Sequence, residues 1–156
     1  MRFFPRRATF SFRSRPAAVP GDLRISWRLA VIFLILRYSR NKKASLPKLH
    51  LLNDTIRSEA AMEKLAEIVT EKRSVQDWRI RVEPALGRAL DLARGEGLVE
   101  FKSGPSYQLT VRGLETSDVI LKADDVLTAE REFLSAFGQA VTEQFVNSLV
   151  RMHASQ

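Results

Sequence analysis

The chain has 156 residues, of which 45% are hydrophobic, so it is long enough to bury the core of one ordinary domain. It has no cysteine, which excludes a disulfide framework, a thiolate metal site and a cysteine nucleophile. Its net charge is +7. Residues 1–43 carry nine arginines and two lysines against one acid, a net charge of +10, and the rest of the chain has a net charge of −3. The overall charge therefore does not by itself indicate nucleic-acid binding.

Residues 1–21 are predicted to be a basic, disordered tail. They contain five arginines and no acid, and three prolines would interrupt any long helix there. An organellar transit peptide and an over-long start remain open as alternatives. Because the lack of cysteine fits a reducing compartment, the predicted location is the cytoplasm.

A first helix is predicted from Asp22 or Ser26 to about Tyr38. Its middle, residues 29–36, is apolar on every side, which is typical of a helix wrapped by others at the centre of a core. This apolar run is too short to cross a membrane. The following SRNKKA, residues 39–44, is interpreted as a solvated basic linker.

Two further helices are predicted next. Ser45 is expected to cap the second, with Pro47 in its first turn, and Ser58 is expected to start a third that runs to about Lys72. In residues 78–82, WRIRV, large apolar residues alternate with arginines, which predicts a half-buried strand. Three helices are therefore expected before the first strand.

A fourth helix is predicted to begin at Glu83-Pro84 and to end at Gly95 in a left-handed conformation. Gly87, inside it, is expected to allow close approach to the first helix. The stretch GLVEFKSGPSYQLTVRG, residues 97–113, has two alternating segments around a Ser-Gly-Pro-Ser tip, which predicts a β-hairpin.

The remaining residues predict helices only. One runs over about residues 114–121, a second begins at Asp124 or Asp125, and a last one follows a break at Gly138. The last helix carries its apolar residues at helical spacing: Val141, Phe145, Val146, Leu149 and Met152.

The strand, helix and hairpin of residues 78–111 follow the order of a winged helix-turn-helix domain. The predicted fold class is therefore mainly α with a small β-wing, a winged helix-turn-helix core plus C-terminal helices. The predicted organisation is a tail over 1–21, a winged-helix domain over 22–121 and a C-terminal helical extension over 122–156.

Signals of catalysis are missing. There is no glycine-rich phosphate loop, and the two histidines, His50 and His153, are about a hundred positions apart and belong to no zinc-ligand motif. His50 is interpreted as a structural helix residue, and Asp124-Asp125 as a helix cap rather than a cation site. We expect no enzymatic activity, no metal and no cofactor.

Nucleic-acid binding is the chemistry that the charge pattern leaves open. A fourth helix that reads DNA base pairs should expose several hydrogen-bond donors. Basic and acidic side chains alternate there instead, which favours a mixed or protein-facing surface over sequence-specific DNA recognition. A nonspecific phosphate track, formed by Arg79 and Arg81 with the basic stretch around Arg37, Arg40, Lys42 and Lys43, is a hypothesis beside ordinary surface charge. The candidate residues are Arg79, Arg81, Arg88, Arg94, Lys102, Arg40, Lys42 and Lys43.

The order of five motifs resembles a known family. They are RPAAVPGDLRISWRLAVIFLIL, ASLPKLHLLNDTIRS, EPALGRALDLARGEGLVEF, YQLTVRG and FLSAFGQAVTEQFVNSLV, which together cover about residues 14–152. Their order is similar to that of the small middle components of bacterial three-component ABC systems, related to Lamassu-type defence operons. Asp54 departs from this pattern, because an aromatic residue often follows the Leu-Asn pair.

The resemblance implies a non-catalytic winged-helix subunit that assembles with an SMC-like ABC ATPase and an effector subunit against phage or plasmid DNA. No catalytic residue is implied. The partner is expected to bury apolar surface on the second or the last helix, with cationic patches holding DNA nonspecifically or indirectly. The alternative is a free-standing transcription regulator that dimerises through its C-terminal helices.

Overall fold

The computed structural model describes residues 21–71, 78–102, 105–123 and 125–154. It is mainly helical with one small three-stranded antiparallel sheet, which confirms the predicted fold class. Residues 1–20 of the predicted tail lie outside the described residues. The elements are α1 (Gly21–Arg37), a 3-10 turn (Arg40–Lys42), β1 (Lys43–Ser45), α2 (Leu46–Thr55), α3 (Glu59–Glu71), α4 (Pro84–Gly95), β2 (Val99–Lys102), β3 (Ser106–Leu109), α5 (Val111–Lys122), α6 (Thr128–Phe137) and α7 (Glu143–Ala154).

The first helix, α1, lies at the centre of the core as predicted. Residues 31–36 are all buried, with exposed fractions of 0% to 3%. Helices α2, α4, α5 and α6 and strand β3 pack around it. Its uniformly apolar sequence therefore reflects a helix with neighbours on every side.

The prediction of a solvated linker over residues 39–44 is wrong. Ser39 and Ala44 are completely buried, and β1 begins at Lys43 and pairs with β3. Asn41 and Lys42 have φ values of 59° and 58°, a left-handed turn that brings the chain from α1 into the sheet. A strand of three residues is too short to produce a visible alternation, so its basic residues suggested a loop.

The prediction of a strand over residues 78–82 is also wrong. This segment has no regular secondary structure and does not belong to the sheet, whose strand order is β1-β3-β2. Its alternation reflects burial on one side only: Trp78 and Ile80 pack on the core, whereas Val82 is 69% exposed. Because β1 precedes α2, one helix and not three comes before the first strand.

The predicted starts of the second and third helices are confirmed. The Ser45 hydroxyl accepts a hydrogen bond from the Lys48 backbone N–H at 3.2 Å, and Pro47 lies in the first turn. The Ser58 hydroxyl accepts one from the Ala61 N–H at 3.2 Å. Such caps satisfy backbone donors that the helix itself cannot pair.

The glycine predictions at α4 need correction. The left-handed residue after the helix is Gly97, with φ +75°, and not Gly95, since the chain takes one more turn through Glu96. A Cβ built on Gly87 would meet nothing within 4 Å, so no close approach to α1 requires this glycine.

The sheet has one core-facing side and one outer side. Ala44, Tyr107 and Phe101 lie opposite one another across β1, β3 and β2 and share the core-facing side with Val99 and Leu109. The outer side carries two rows of polar residues, Lys43–Gln108–Glu100 and Ser45–Ser106–Lys102. Side-chain alternation thus separates the packing of the wing from its charges.

The C-terminal helices pack on the same core as α1. Leu134, Val141, Val146 and Leu149 are at most 1% exposed. Helix α6 begins at Thr128, after the left-handed Leu127, and not at Asp125; Asp124 lies outside the described residues. The predicted break at Gly138 is confirmed, because α6 ends at Phe137.

Candidate nucleic-acid interface

The exposed face of α4 carries charges of both signs. Arg88, Asp91, Arg94 and Glu96 are all exposed. The Arg94 guanidinium carbon lies 5.5 Å from the centroid of the Phe101 ring, within the range of a cation–π interaction. Arg94 is therefore held against the wing, and Arg88 is the candidate cation on α4 with no described contact.

The wing brings together cations that are distant in the sequence. Lys43 and Lys102 lie on the outer side of the sheet, and Arg40 and Lys42 belong to the turn before β1. The Gln108 side chain donates a hydrogen bond of 3.0 Å to the Asn41 carbonyl, which ties that turn to β3. Four of the candidates thus belong to one surface, which we call the outer wing surface.

An acid lies within the outer wing surface. Glu100 occupies the same row as Lys43, and its Oε1 lies 3.8 Å from the Lys102 Nζ. Both side chains of that pair are about half exposed, so the ion pair adds little stability, yet it lowers the positive potential available to a phosphate.

The remaining candidates, Arg79 and Arg81, are exposed in the segment before α4. The Arg81 Nε lies 3.8 Å from the Asp54 Oδ1, so the residue that departs from the family pattern has an ionic partner. A 12-residue helix is about 18 Å long. These arginines and the Phe101 end of the wing lie at opposite ends of α4, so the predicted phosphate track consists of two separate groups.

Sequence reasoning missed a cluster around Glu83. Its Oε1 accepts hydrogen bonds of 2.7 Å from both Arg28 Nη1 and Asn53 Nδ2, and its Oε2 accepts one of 3.1 Å from Arg57 Nη1. Burial alone would raise the pKa of Glu83, but the Asn53 hydrogen bond and the two guanidinium charges outweigh it and lower the pKa.

His50 completes this cluster from the backbone side. The Glu83 N–H donates a hydrogen bond of 3.2 Å to the His50 Nδ1. Burial lowers the pKa of His50, against the opposing effect of the Glu83 charge, so the ring is a neutral acceptor at pH 7. The only sequence signal was Glu83 next to Pro84, which indicated a helix start and not its partners up to 55 residues away.

Sequence reasoning also missed a second cluster, around Lys48, which is 3% exposed. Its Nζ donates a hydrogen bond of 3.0 Å to the Gly138 carbonyl. Burial lowers the pKa of Lys48 to about 8, although the Glu143 charge acts in the opposite direction. The Glu143 carboxylate in turn accepts from the Ser45 backbone N–H at 2.9 Å and the Ser45 hydroxyl at 2.7 Å.

Both clusters connect elements of the fold. The Glu83 cluster joins α1, α2 and the start of α4, and the Lys48 cluster joins α2 to the segment between α6 and α7. Within the described ranges, no three His, Asp or Glu residues lie close enough together to hold a metal ion. In the same part of the chain, every helix is too short or too polar to cross a membrane.

Comparison of the chain with models of protein families, with curated proteins and with solved structures finds no match in any of the three.

Proposed function

We propose that this protein is a non-catalytic winged-helix subunit of a bacterial, cytoplasmic SMC-like ABC ATPase complex that acts on phage or plasmid DNA. Its partners would be the ATPase and an effector subunit, with DNA held nonspecifically or indirectly. The observation that carries the proposal is the mixed face of α4, where acids alternate with bases and Arg94 is engaged by Phe101.

A helix that reads bases in the major groove needs several free donors along its exposed face. Here Asp91 and Glu96 share that face with Arg88 and Arg94, and both carboxylates would approach DNA phosphates. Like charges at such distances cost binding energy. This face suits a protein partner better than a base-pair edge.

Exposed apolar side chains indicate where a protein partner would bind. Leu92, Phe101 and Val111 are 41%, 47% and 73% exposed and belong to α4, β2 and α5, the elements joined at the turn between α4 and β2. The start of α5 is fixed to this turn, because Arg112 Nη1 donates to the Glu96 carbonyl at 2.7 Å. We call these three residues the wing-base surface.

The second and last helices are less suitable than the sequence suggested. In α2, Leu49, Leu51 and Leu52 are completely buried in the chain's own core, and Leu46 is the exposed leucine of this helix, at 37%. In α7, Val146 and Leu149 face the same core. The wing-base surface is therefore the better candidate.

The test is co-expression with the products of the neighbouring genes, followed by purification through this chain. We expect an ABC-type ATPase to co-purify, and we expect Leu92→Asp with Val111→Asp to reduce its recovery at least tenfold, since buried interface anchors dominate binding energy. Val119→Asp, at a residue of α5 that is 67% exposed, is the matched control and should leave recovery unchanged.

Two outcomes would contradict different parts of the proposal. If no ATPase co-purifies, the proposed function is wrong. If the ATPase co-purifies equally with the double variant, the function stands and the wing-base surface is rejected. A dimer that alone protects one operator sequence would support the alternative, a free-standing regulator.

A further inference from the structure

An apolar groove lies between α3 and α6, away from the wing. It has a volume of about 310 Å³, and its apolar lining comes from Met62 and Ala66 on α3 and from Ala129, Phe133 and Phe137 on α6. The rings of Phe133 and Phe137 lie 5.3 Å apart, centroid to centroid. The volume is at the lower limit of small-molecule pockets, which suits a few side chains of a peptide.

The rim of this groove is acidic. Glu59 and Glu63, one turn apart on α3, and Glu132 on α6 line it together with the apolar residues. All three are exposed, and none has an ion-pair partner among the described residues. An apolar groove with carboxylates at its rim is complementary to a peptide segment that has apolar side chains and positive charges beside them.

Residues 1–20 of this chain have that composition. They contain four phenylalanines, five arginines and no acid. In an extended segment, Phe10 and Phe12 would point to one side, with Arg13 and Arg15 on the other. The aromatic pair matches the apolar floor, and the arginines can reach the carboxylates of the rim.

The point of attachment is also suitable. Residue 20 precedes α1, and Arg28 in the second turn of α1 shares the Glu83 carboxylate with Arg57, two residues before Glu59. Arg28 of α1 and the start of α3 therefore lie close together. Ten residues of extended chain span up to about 33 Å, which is the reach available between Gly21 and Phe10.

We propose that residues 1–20 bind the groove between α3 and α6, with Phe10 and Phe12 on its apolar floor and arginines at Glu59, Glu63 and Glu132. This binding is independent of the proposed function. It places the most basic part of the chain against its acidic body, where the arginines are not free to contact phosphate.

The test is paramagnetic broadening of amide resonances in the full chain. Because the chain has no cysteine, Ser14→Cys provides a single position for a nitroxide label. We expect the label to broaden amides of α3 and α6 selectively, and we expect Phe10→Ser with Phe12→Ser to abolish the broadening. Glu59→Gln, Glu63→Gln and Glu132→Gln together should also abolish it.

A matched control separates specific binding from general attraction. Asp91→Asn, Glu96→Gln and Glu115→Gln remove three exposed acids elsewhere and change the net charge equally, so broadening should persist. Broadening that is absent, lies on other elements or survives the groove triple variant would overturn the proposal. So would broadening that appears only between a labelled chain and a second, isotope-labelled chain, since the occupant would then be another copy's tail.

Discussion

At the scale of single residues, Glu83 does more than begin α4. Its carboxylate joins α1 through Arg28 and α2 through Asn53, and it also binds Arg57 beyond the end of α2. Its side chain is 22% exposed, so solvent replaces these contacts poorly. Removal of one member leaves its charged partners partly buried without compensation, which costs more than the ion pair contributes.

We therefore expect Glu83→Gln to lower the free energy of unfolding by about 2 kcal/mol at pH 7. Since the folded state lowers the pKa of Glu83, this contribution is complete above the ordinary value of 4.5 and is lost as the pH falls through the folded pKa. Urea unfolding from pH 7 to pH 3 measures it. The difference in stability between the variant and the natural chain should become smaller as the pH falls.

Glu115→Gln is the matched control for this experiment, because Glu115 is exposed and has no described ion pair. It should change the free energy of unfolding by less than about 0.5 kcal/mol. An equal effect of the two substitutions would show that the contacts of Glu83 add no more to the free energy of unfolding than an exposed glutamate does.

The pH dependence that Lys48 contributes has the same sign but lies in the alkaline range. Its pKa falls from 10.5 to about 8 on folding, so between these values the unfolded chain binds more protons and stability increases with pH. Relative to Lys48→Met, the natural chain should gain about 2 kcal/mol between pH 7.5 and pH 10. Denaturant unfolding at several pH values measures this gain.

Lys122→Met, at an exposed lysine at the end of α5, is the control and should show no such relative gain. A flat difference between Lys48→Met and the natural chain over this range would mean that Lys48 keeps its ordinary pKa in the folded protein.

At the scale of elements, the sequence predicted what depends on local signals. The caps at Ser45 and Ser58 and the apolar centre of α1 are local patterns, and the structure confirms all three. The segment that contains β1 was predicted to be a linker, and residues 78–82 were predicted to be a strand; both predictions are wrong. A strand is defined by its partner, and neither pairing with β3 nor its absence is encoded in the strand's own residues.

The same reasoning explains what was missed at the candidate interface. The alternation of β2 and β3 predicted the wing, but only the register across β1 and β3 places Lys43 on the face that carries Lys102. The longest contacts of the Glu83 and Lys48 clusters join residues 55 and 98 positions apart. No periodicity can indicate contacts at such separations.

Two glycines in neighbouring helices should respond in opposite ways to alanine. At Gly113 a Cβ would overlap the Leu98 carbonyl and lie 2.9 Å from the Leu109 side chain, so Gly113→Ala should destabilise the fold by about 3 kcal/mol. Gly87 is an interior residue of α4, and a Cβ there would meet no atom within 4 Å. Gly87→Ala should therefore stabilise the fold by about 1 kcal/mol. Denaturant midpoints of the two variants measure both effects.

The pair is its own control, because both substitutions add one methyl group within a helix. A stabilising Gly113→Ala would mean that the start of α5 is not packed on the α4–β2 turn. A destabilising Gly87→Ala would indicate that α4 is covered at that position.

At the scale of the whole molecule, the charge is divided between a basic N-terminal quarter and an acidic body. The candidate cations that the structure describes lie mainly on the outer wing surface and in the segment before α4, with Glu100 inside the first group and Asp54 beside the second. Such a distribution supports weak phosphate contacts and no base reading, so binding should depend on salt and not on sequence.

We therefore expect the full chain to bind two unrelated DNA duplexes of equal length with the same affinity. The joint variant Arg40→Gln, Lys42→Gln and Lys43→Gln should reduce the slope of log affinity against log salt by about 2 to 3, because each lost phosphate contact removes about 0.9. A control with Lys64→Gln, Lys122→Gln and Arg151→Gln removes the same charge from exposed residues of other helices and should leave the slope nearly unchanged. An equal reduction of the salt slope in both variants would mean that net charge alone attracts DNA. A strong preference for one duplex would mean that the mixed face of α4 recognises DNA base pairs.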